Sequence, residues 1–184
     1  MGDDLERIEK MLFGYETEDF VEVGQIEQAH NGTLYLDNIA HFPSEIQGEI
    51  LKFILKGCFT RVGGNDNVNV DARILSSCSL PPEQLIRDGL LREDLFHRLQ
   101  VVALDVPGLT KRRDDIPLLV EFYISAIADQ INVTPRQAGH DVMAVLQSHN
   151  WPGNVRQLRN CVEHMMLNSV ARQSDVLTID MLPK

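Results

Sequence analysis

Apolar positions recur along this chain with two different periods, and the change of period divides it. In DDLERIEKML, Leu5, Ile8 and Leu12 fall at i, i+3 and i+7, so residues 3–12 are predicted to form a helix. Asp3 and Asp4 suit the positive end of that helix. TLYLD, residues 33–37, reads as a short buried strand. Pro43 then opens a helix that carries Ile46, Ile50, Phe53 and Ile54 on one face and stops at Gly57. CFTRV and VNVDARILSS read as strands around the turn Gly63-Gly64-Asn65. A short helix follows Pro81-Pro82, REDLFHRL makes another, and VVALDV, residues 101–106, is again strand-like. From Asp114 onward the period is helical only, with helices predicted at 114–130, 140–149 and 154–168. Asn154 can cap the last of these, with Gln157 three residues on, and Leu158, Cys161, Val162, Met165 and Met166 form its apolar stripe.

Alternating strand and helix over roughly the first 110 residues argues for an α/β fold with a parallel sheet. The remainder argues for a small helical subdomain. The break falls at GLTKRR, giving expected segments 1–109, 110–172 and a loosely held tail, 173–184. Lys111-Arg112-Arg113, followed by Asp114-Asp115, reads as a solvated hinge, and Trp151 as a core anchor between helices. An apolar content of 43% with 24% charged residues is enough to build a core. No apolar run reaches the length of a membrane span and no secretory leader opens the chain, so no membrane partner is expected. Cys58, Cys78 and Cys161 are odd in number and show neither metal nor disulfide spacing, which fits a reducing cytoplasm. His97, His140, His149 and His164 share no ligand spacing and read as helix-surface residues. A formal charge of -10 repels phosphate backbones and speaks against direct DNA binding by this chain.

The candidate chemistry begins at Asp37. In a parallel sheet, ligands bind beyond the carboxyl ends of the strands. An aspartate there, after an apolar strand, is the usual holder of Mg²⁺ on a nucleotide. From five residues alone, an aspartate that merely caps the next turn is an equally open reading. The following residue is Asn38, where a second acid would complete a familiar pair.

LFGYE, GQIEQAHNGTLYLD, FTRVGG, LREDLFHRL, RRDDIPLL and WPGNVRQLRN occur in this order. Together they closely resemble the AAA+ ATPase domain of bacterial sigma-54-type transcription activators, from about Leu12 to Leu167. Within that family the chain is most similar to two-component response regulators of the nitrogen-regulation branch, the NtrX kind. The resemblance implies a partial parallel-sheet AAA+ core followed by an α-helical lid, with ATP or ADP and Mg²⁺ as cofactors. It implies that Asp37 organises Mg²⁺ and that Asn38 replaces a glutamate that polarises water. Arg92 and Arg98 match arginine fingers that reach the next subunit's nucleotide, Arg156 matches the lid's sensor arginine, and Ser79 stands at a sensor asparagine. Permanently charged, planar guanidinium groups suit a phosphoryl transition state. Spacing alone would make Arg92 and Arg98 ordinary surface residues, since they lie six apart. Arg156 could instead pair with Glu163 or face solvent, and Arg159 competes for its role.

Four departures from the family pattern shape the functional expectation. No G-x-x-x-x-G-K-[ST] loop occurs in the sequence, so no such nest of N–H groups and lysine cradles phosphates. Only about eleven residues precede LFGYE, and the chain reads as beginning midway through the core. Asn38 cannot orient water as a carboxylate does, which should slow hydrolysis while leaving Mg²⁺–nucleotide binding possible. Ser79 is shorter than asparagine. TEDFVEV, within Glu16–Gly24, lacks the Gly-Ala-Phe-Thr-Gly-Ala signature of the sigma-54-contacting loop. The leading expectation is a regulator's central region serving nucleotide response and oligomerisation. Its parent would carry a receiver domain answering a sensor kinase and a separate helix-turn-helix for DNA. The competing readings are an ATPase that works once an upstream segment is present, and a passive interaction module.

Overall fold

Leu5, Ile8 and Leu12 do share one face of a helix, α1 (Gly2–Phe13), in the computed structural model, which describes residues 2–183. The chain folds as two units that divide between Ala103 and Leu104. In the first, α1 is followed by a small hairpin, β1 (Tyr15–Glu16) and β2 (Val21–Glu22), and a one-turn helix, α2 (Gln25–Gln28). Gly14 and Gly24 pinch the hairpin base. A Cβ on Gly14 would lie 2.3 Å from the Glu22 carbonyl, and one on Gly24 would lie 2.3 Å from Gly14 N. Only residues without a side chain allow that approach.

Next come β3 (Thr33–Leu36) and α3 (Ser44–Lys56). Gly57 ends α3 at φ 68°, donating its N–H to Phe53 O at 2.8 Å, as an αL cap should. Ile46, Ile50 and Phe53 are buried together with Leu34 and Leu36 of β3. β4 (Cys58–Thr60) pairs antiparallel with β5 (Asn67–Asn69), and Phe59 meets Phe13 and Phe53 edge-on at 5.4 and 5.9 Å. β6 (Arg73–Ser76) runs parallel to β3, in register from Thr33–Arg73 to Leu36–Ser76. Two helices, α4 (Pro82–Arg87) and α5 (Glu93–Leu99), complete the unit.

Two expectations fail here. VNVDARILSS is two strands in two different sheets. Val70 N bonds Gly57 O at 2.9 Å while Arg73 N bonds Gly32 O at 2.9 Å, so the chain leaves one partner for another between them. VVALDV is not a strand. Among the described residues none pairs with it, and an extended segment becomes a ladder only when a neighbour takes its N–H and C=O groups. Its apolar side chains stand 77–85% exposed at Val101, Val102, Leu104 and Val106.

The second unit is helical: α6 (Ile116–Gln130), α7 (His140–Ser148) and α8 (Asn154–Ala171), with the short parallel pair β7 (Gln137–Ala138) and β8 (Val176–Leu177). Val120, Leu158, Val162, Met165 and Met166 are fully buried in its core, and Trp151 joins them. The segment after Arg172 is packed rather than loose. Leu177 and Met181 lie in the core, and β8 ties the segment to β7, so apolar burial holds a segment expected to be loose. The Lys111–Arg113 stretch is likewise no simple solvated hinge. Arg113 donates to the carbonyls of Gln147 and Ser148 at 2.9 and 2.8 Å, closing the orphan end of α7. Asn154 does not cap α8 by its side chain; its Oδ1 accepts from Leu109 N at 2.8 Å, while Gln157 Oε1 accepts from Gly153 N at 2.9 Å.

Candidate functional site

The carboxyl ends of the parallel strands β3 and β6 bring four side chains together. Asp37 follows β3 and is exposed. Its Oδ1 accepts from the Ser77 hydroxyl at 2.7 Å and from the Tyr35 hydroxyl at 3.0 Å. Those two hydrogen bonds, Ser77's first, hold the carboxyl below the usual carboxylate range. Asn38 is half-buried and sits at φ 55°, ψ 58°, a left-handed conformation that asparagine tolerates better than most residues. Its backbone N–H donates to Ser77 Oγ at 2.9 Å, and its side-chain Oδ1 accepts from Ser79 N at 3.1 Å. The strand ends are therefore clasped in both directions. Ser79 enters through its backbone; its own side chain is on an exposed residue.

Arg92 caps the start of α5 and forks onto Asp94 through Nε at 3.0 Å and a terminal nitrogen at 2.7 Å. Arg98 lies in the last turn of α5, exposed and without an ion-pair partner among the described residues. Gln47 of α3 positions Arg92. This amide is 1% exposed, donates to the carbonyls of Phe42 and Leu90 at 2.8 Å each, and accepts from Arg92 N at 2.9 Å.

The stretch Glu16–Gly24 forms the β1–β2 hairpin, not a long loop. Val62 bridges to Tyr15, and Arg61 pairs with both Glu16 and Glu27 at 2.9 and 2.8 Å. That guanidinium fixes the hairpin base to α2 and to the chain after β4.

In the second unit, Arg156 projects from the first turn of α8, exposed and without an ion pair to Glu163 among the described residues. The turn before it is tightly held. Trp151 stands at φ 46°, its indole N–H donates to Leu146 O at 2.7 Å, and its backbone N–H donates to His149 Nδ1 at 3.0 Å.

For a divalent cation, the residues present offer one carboxylate, Asp37. Among the described residues no group of three His, Cys, Asp or Glu side chains forms a protein cage. That donor set fits Mg²⁺ held with a nucleotide, since Mg²⁺ commonly takes one or two carboxylates and leaves the rest to phosphates and water.

Residues 4–105 match the family described as the Sigma-54 interaction domain, and residues 110–184 match the AAA+ ATPase lid domain. This chain belongs to the sigma-54 interaction domain family. The chain is 47% identical over 180 residues to the nitrogen assimilation regulatory protein NtrX of Azorhizobium caulinodans, covering 97% of this chain and 40% of that protein. It superimposes on crystal structures of NtrX from Brucella abortus solved with ADP and with ATP, each at a TM-score of 0.89 and 51% identity. Those matches cover 97% of this chain and 40% and 41% of the two solved chains. The α/β core with a helical lid is thus the AAA+ arrangement of that family. Among the described residues no helix is long and apolar enough to cross a membrane.

Within this sigma-54 interaction domain, sequence reasoning had named Asp37, Asn38 and Ser79, and the fold does bring them to one strand end. It does not bring Arg92 or Arg98 into an ion pair or side-chain hydrogen bond with them. Ser77, Tyr35 and Gln47 were missed. Tyr35 and Asp37 are two apart on a strand, so a same-side contact was legible there. Ser77 and Gln47 reach partners 39 to 45 residues away, which no local pattern reports.

Proposed function

We propose that this chain is the nucleotide-responsive, self-associating AAA+ region of a cytoplasmic bacterial response regulator of the NtrX type, acting in transcription control. The observation that carries the reading is the Asp37–Asn38 strand end, which offers one charged, hydrogen-bonded carboxylate beside an amide held against the neighbouring strand. Asp37 would hold Mg²⁺ on ATP or ADP; the cation, when bound, neutralises charge on the phosphates. Asn38 lacks the carboxylate that would orient water, and its Oδ1 accepts from Ser79 N. Nucleotide then acts as a conformational ligand more than a fuel. Arg92 and Arg98 are proposed to face a second copy, and Arg156 to approach the phosphates. The hairpin in place of a signature loop fits a regulator that does not remodel sigma-54 polymerase directly. Its parent would supply a receiver domain that answers a sensor kinase, and a separate DNA-binding helix-turn-helix.

Calorimetric titration of the chain with ATP and ADP in Mg²⁺ tests the binding half of this reading. Heat of binding that disappears in Asp37→Ala is the expected result; its absence in the unaltered chain limits the domain to a structural role. For the chemistry, a chain carrying a phosphate-binding loop ahead of residue 1 should turn over slowly and gain activity on Asn38→Glu. Equal and appreciable rates would overturn the assignment of Asn38.

A further inference from the structure

We propose that Ser77 is a positioning residue for the cation at Asp37, selecting which carboxylate oxygen is offered and fixing the peptide that carries it. The proposal rests on the reading that Asp37 holds Mg²⁺ with a nucleotide.

The Ser77 hydroxyl works in both directions. As a donor it meets Asp37 Oδ1 at 2.7 Å; as an acceptor it takes the Asn38 N–H at 2.9 Å. A hydroxyl has one proton to give and lone pairs to receive, so a single group can satisfy both neighbours at once. Tyr35 adds a second hydroxyl to the same oxygen at 3.0 Å. Neither hydroxyl engages Oδ2. The carboxylate is left with one oxygen taken by two hydroxyls and one that no side chain engages among the described residues, which suits a single-oxygen bond to Mg²⁺. The backbone of Ser77 reinforces the arrangement: its N–H donates to Leu36 O at 3.1 Å, and its carbonyl accepts from Ile39 N at 3.0 Å. Residues 36 to 39 are thus tied to Ser77 at four points across the strand pair, while Asn38 is kept left-handed in their midst. Alanine at 77 keeps the two backbone ties and loses both side-chain ones. Threonine keeps all four.

The test compares Ser77→Ala and Ser77→Thr with the unaltered chain by two readouts. The first is amide hydrogen exchange at Asn38, which needs no ligand. The second is binding of Mn²⁺ in the presence of ADP, followed by electron paramagnetic resonance, alongside ADP binding without metal. Ser77→Ala is expected to speed Asn38 exchange by about tenfold and to weaken Mn²⁺ by about tenfold, the scale of one hydrogen bond in each case. Metal-free ADP binding should be unchanged, and Ser77→Thr should restore both losses. A general loss of fold would instead speed exchange across β3 and β6 alike, and with that result the positioning role is rejected. Mn²⁺ binding that survives Ser77→Ala overturns this proposal alone. A failure of the unaltered chain to bind Mn²⁺–ADP overturns the nucleotide reading, and this proposal with it.

Discussion

The two units of this chain solve the problem of burial differently. In the helical lid, α6, α7 and α8 cover one another, and Val120, Leu158, Val162, Met165 and Met166 reach zero exposure. In the α/β unit, β3 and β6 bury one face through Leu34 and Leu36 but leave Tyr35 58% and Leu75 44% exposed on the other. Parallel sheets are ordinarily covered on both faces. Charge divides the same way. Residues 1–103 hold 18 acidic against nine basic side chains, a net of -9, while residues 104–184 hold nine against eight, a net of -1. A helical lid closes its core with its own side chains. In the α/β unit, Tyr35 and Leu75 stand exposed on a strongly acidic surface.

The largest expected effect lies in the lid. Trp151→Ala removes the side chain around which the turn into α8 is built, and should cost about 3–5 kcal/mol. If the units are energetically separate, amide exchange will rise through α6 and α8 while α3 keeps its protection; loss in both units would break the comparison. Gln47→Ala comes next. It strands two carbonyls and one N–H in a buried place, and a loss of about 2–4 kcal/mol in urea unfolding of the α/β unit is expected. Arg61→Ala leaves Glu16 and Glu27 without their shared cation, and about 2 kcal/mol should be lost, with the hairpin signals moving first. Leu75→Asp should barely change the melting of the monomer but reduce self-association in sedimentation velocity. Salt should promote association of the unaltered chain, because screening relieves its acidic repulsion. The smallest effect is at Asp37. Its carboxyl is more acidic folded than unfolded, so its contribution is complete above about pH 4, the ordinary carboxylate pKa, and is lost as pH falls through the folded-state value. An NMR titration of Asp37 with an ordinary midpoint would remove the Ser77 and Tyr35 bonds from the account.

Most helices were legible because their cause is local. Ile46, Ile50 and Phe53 repeat with the helical period, and Gly57 ends the run in a left-handed conformation that glycine adopts without strain. Strands were legible only as apolar runs. Nothing local says that Val68 will pair with Phe59 while Ile74 pairs with Leu34, so the split at Val70–Ala72 could not be read. VVALDV failed for the complementary reason: it has strand composition, but a strand is a relation between two segments. At the strand end, Asp37 and Asn38 stood out because motif order marked them. Ser77 did not, because its importance comes from hydrogen bonds made across the sheet.

The buried tail has a consequence for how the lid is made. Leu177 pairs with Ala138, and Met181 is in a core whose other members begin at Leu109. During synthesis α6, α7 and most of α8 will have left the ribosome with that core still open on one side. The lid can close only when Met181 has cleared the exit tunnel. At about 5–20 residues per second this leaves a window of about one to three seconds in which a half-built helical cluster is exposed to chaperones and proteases.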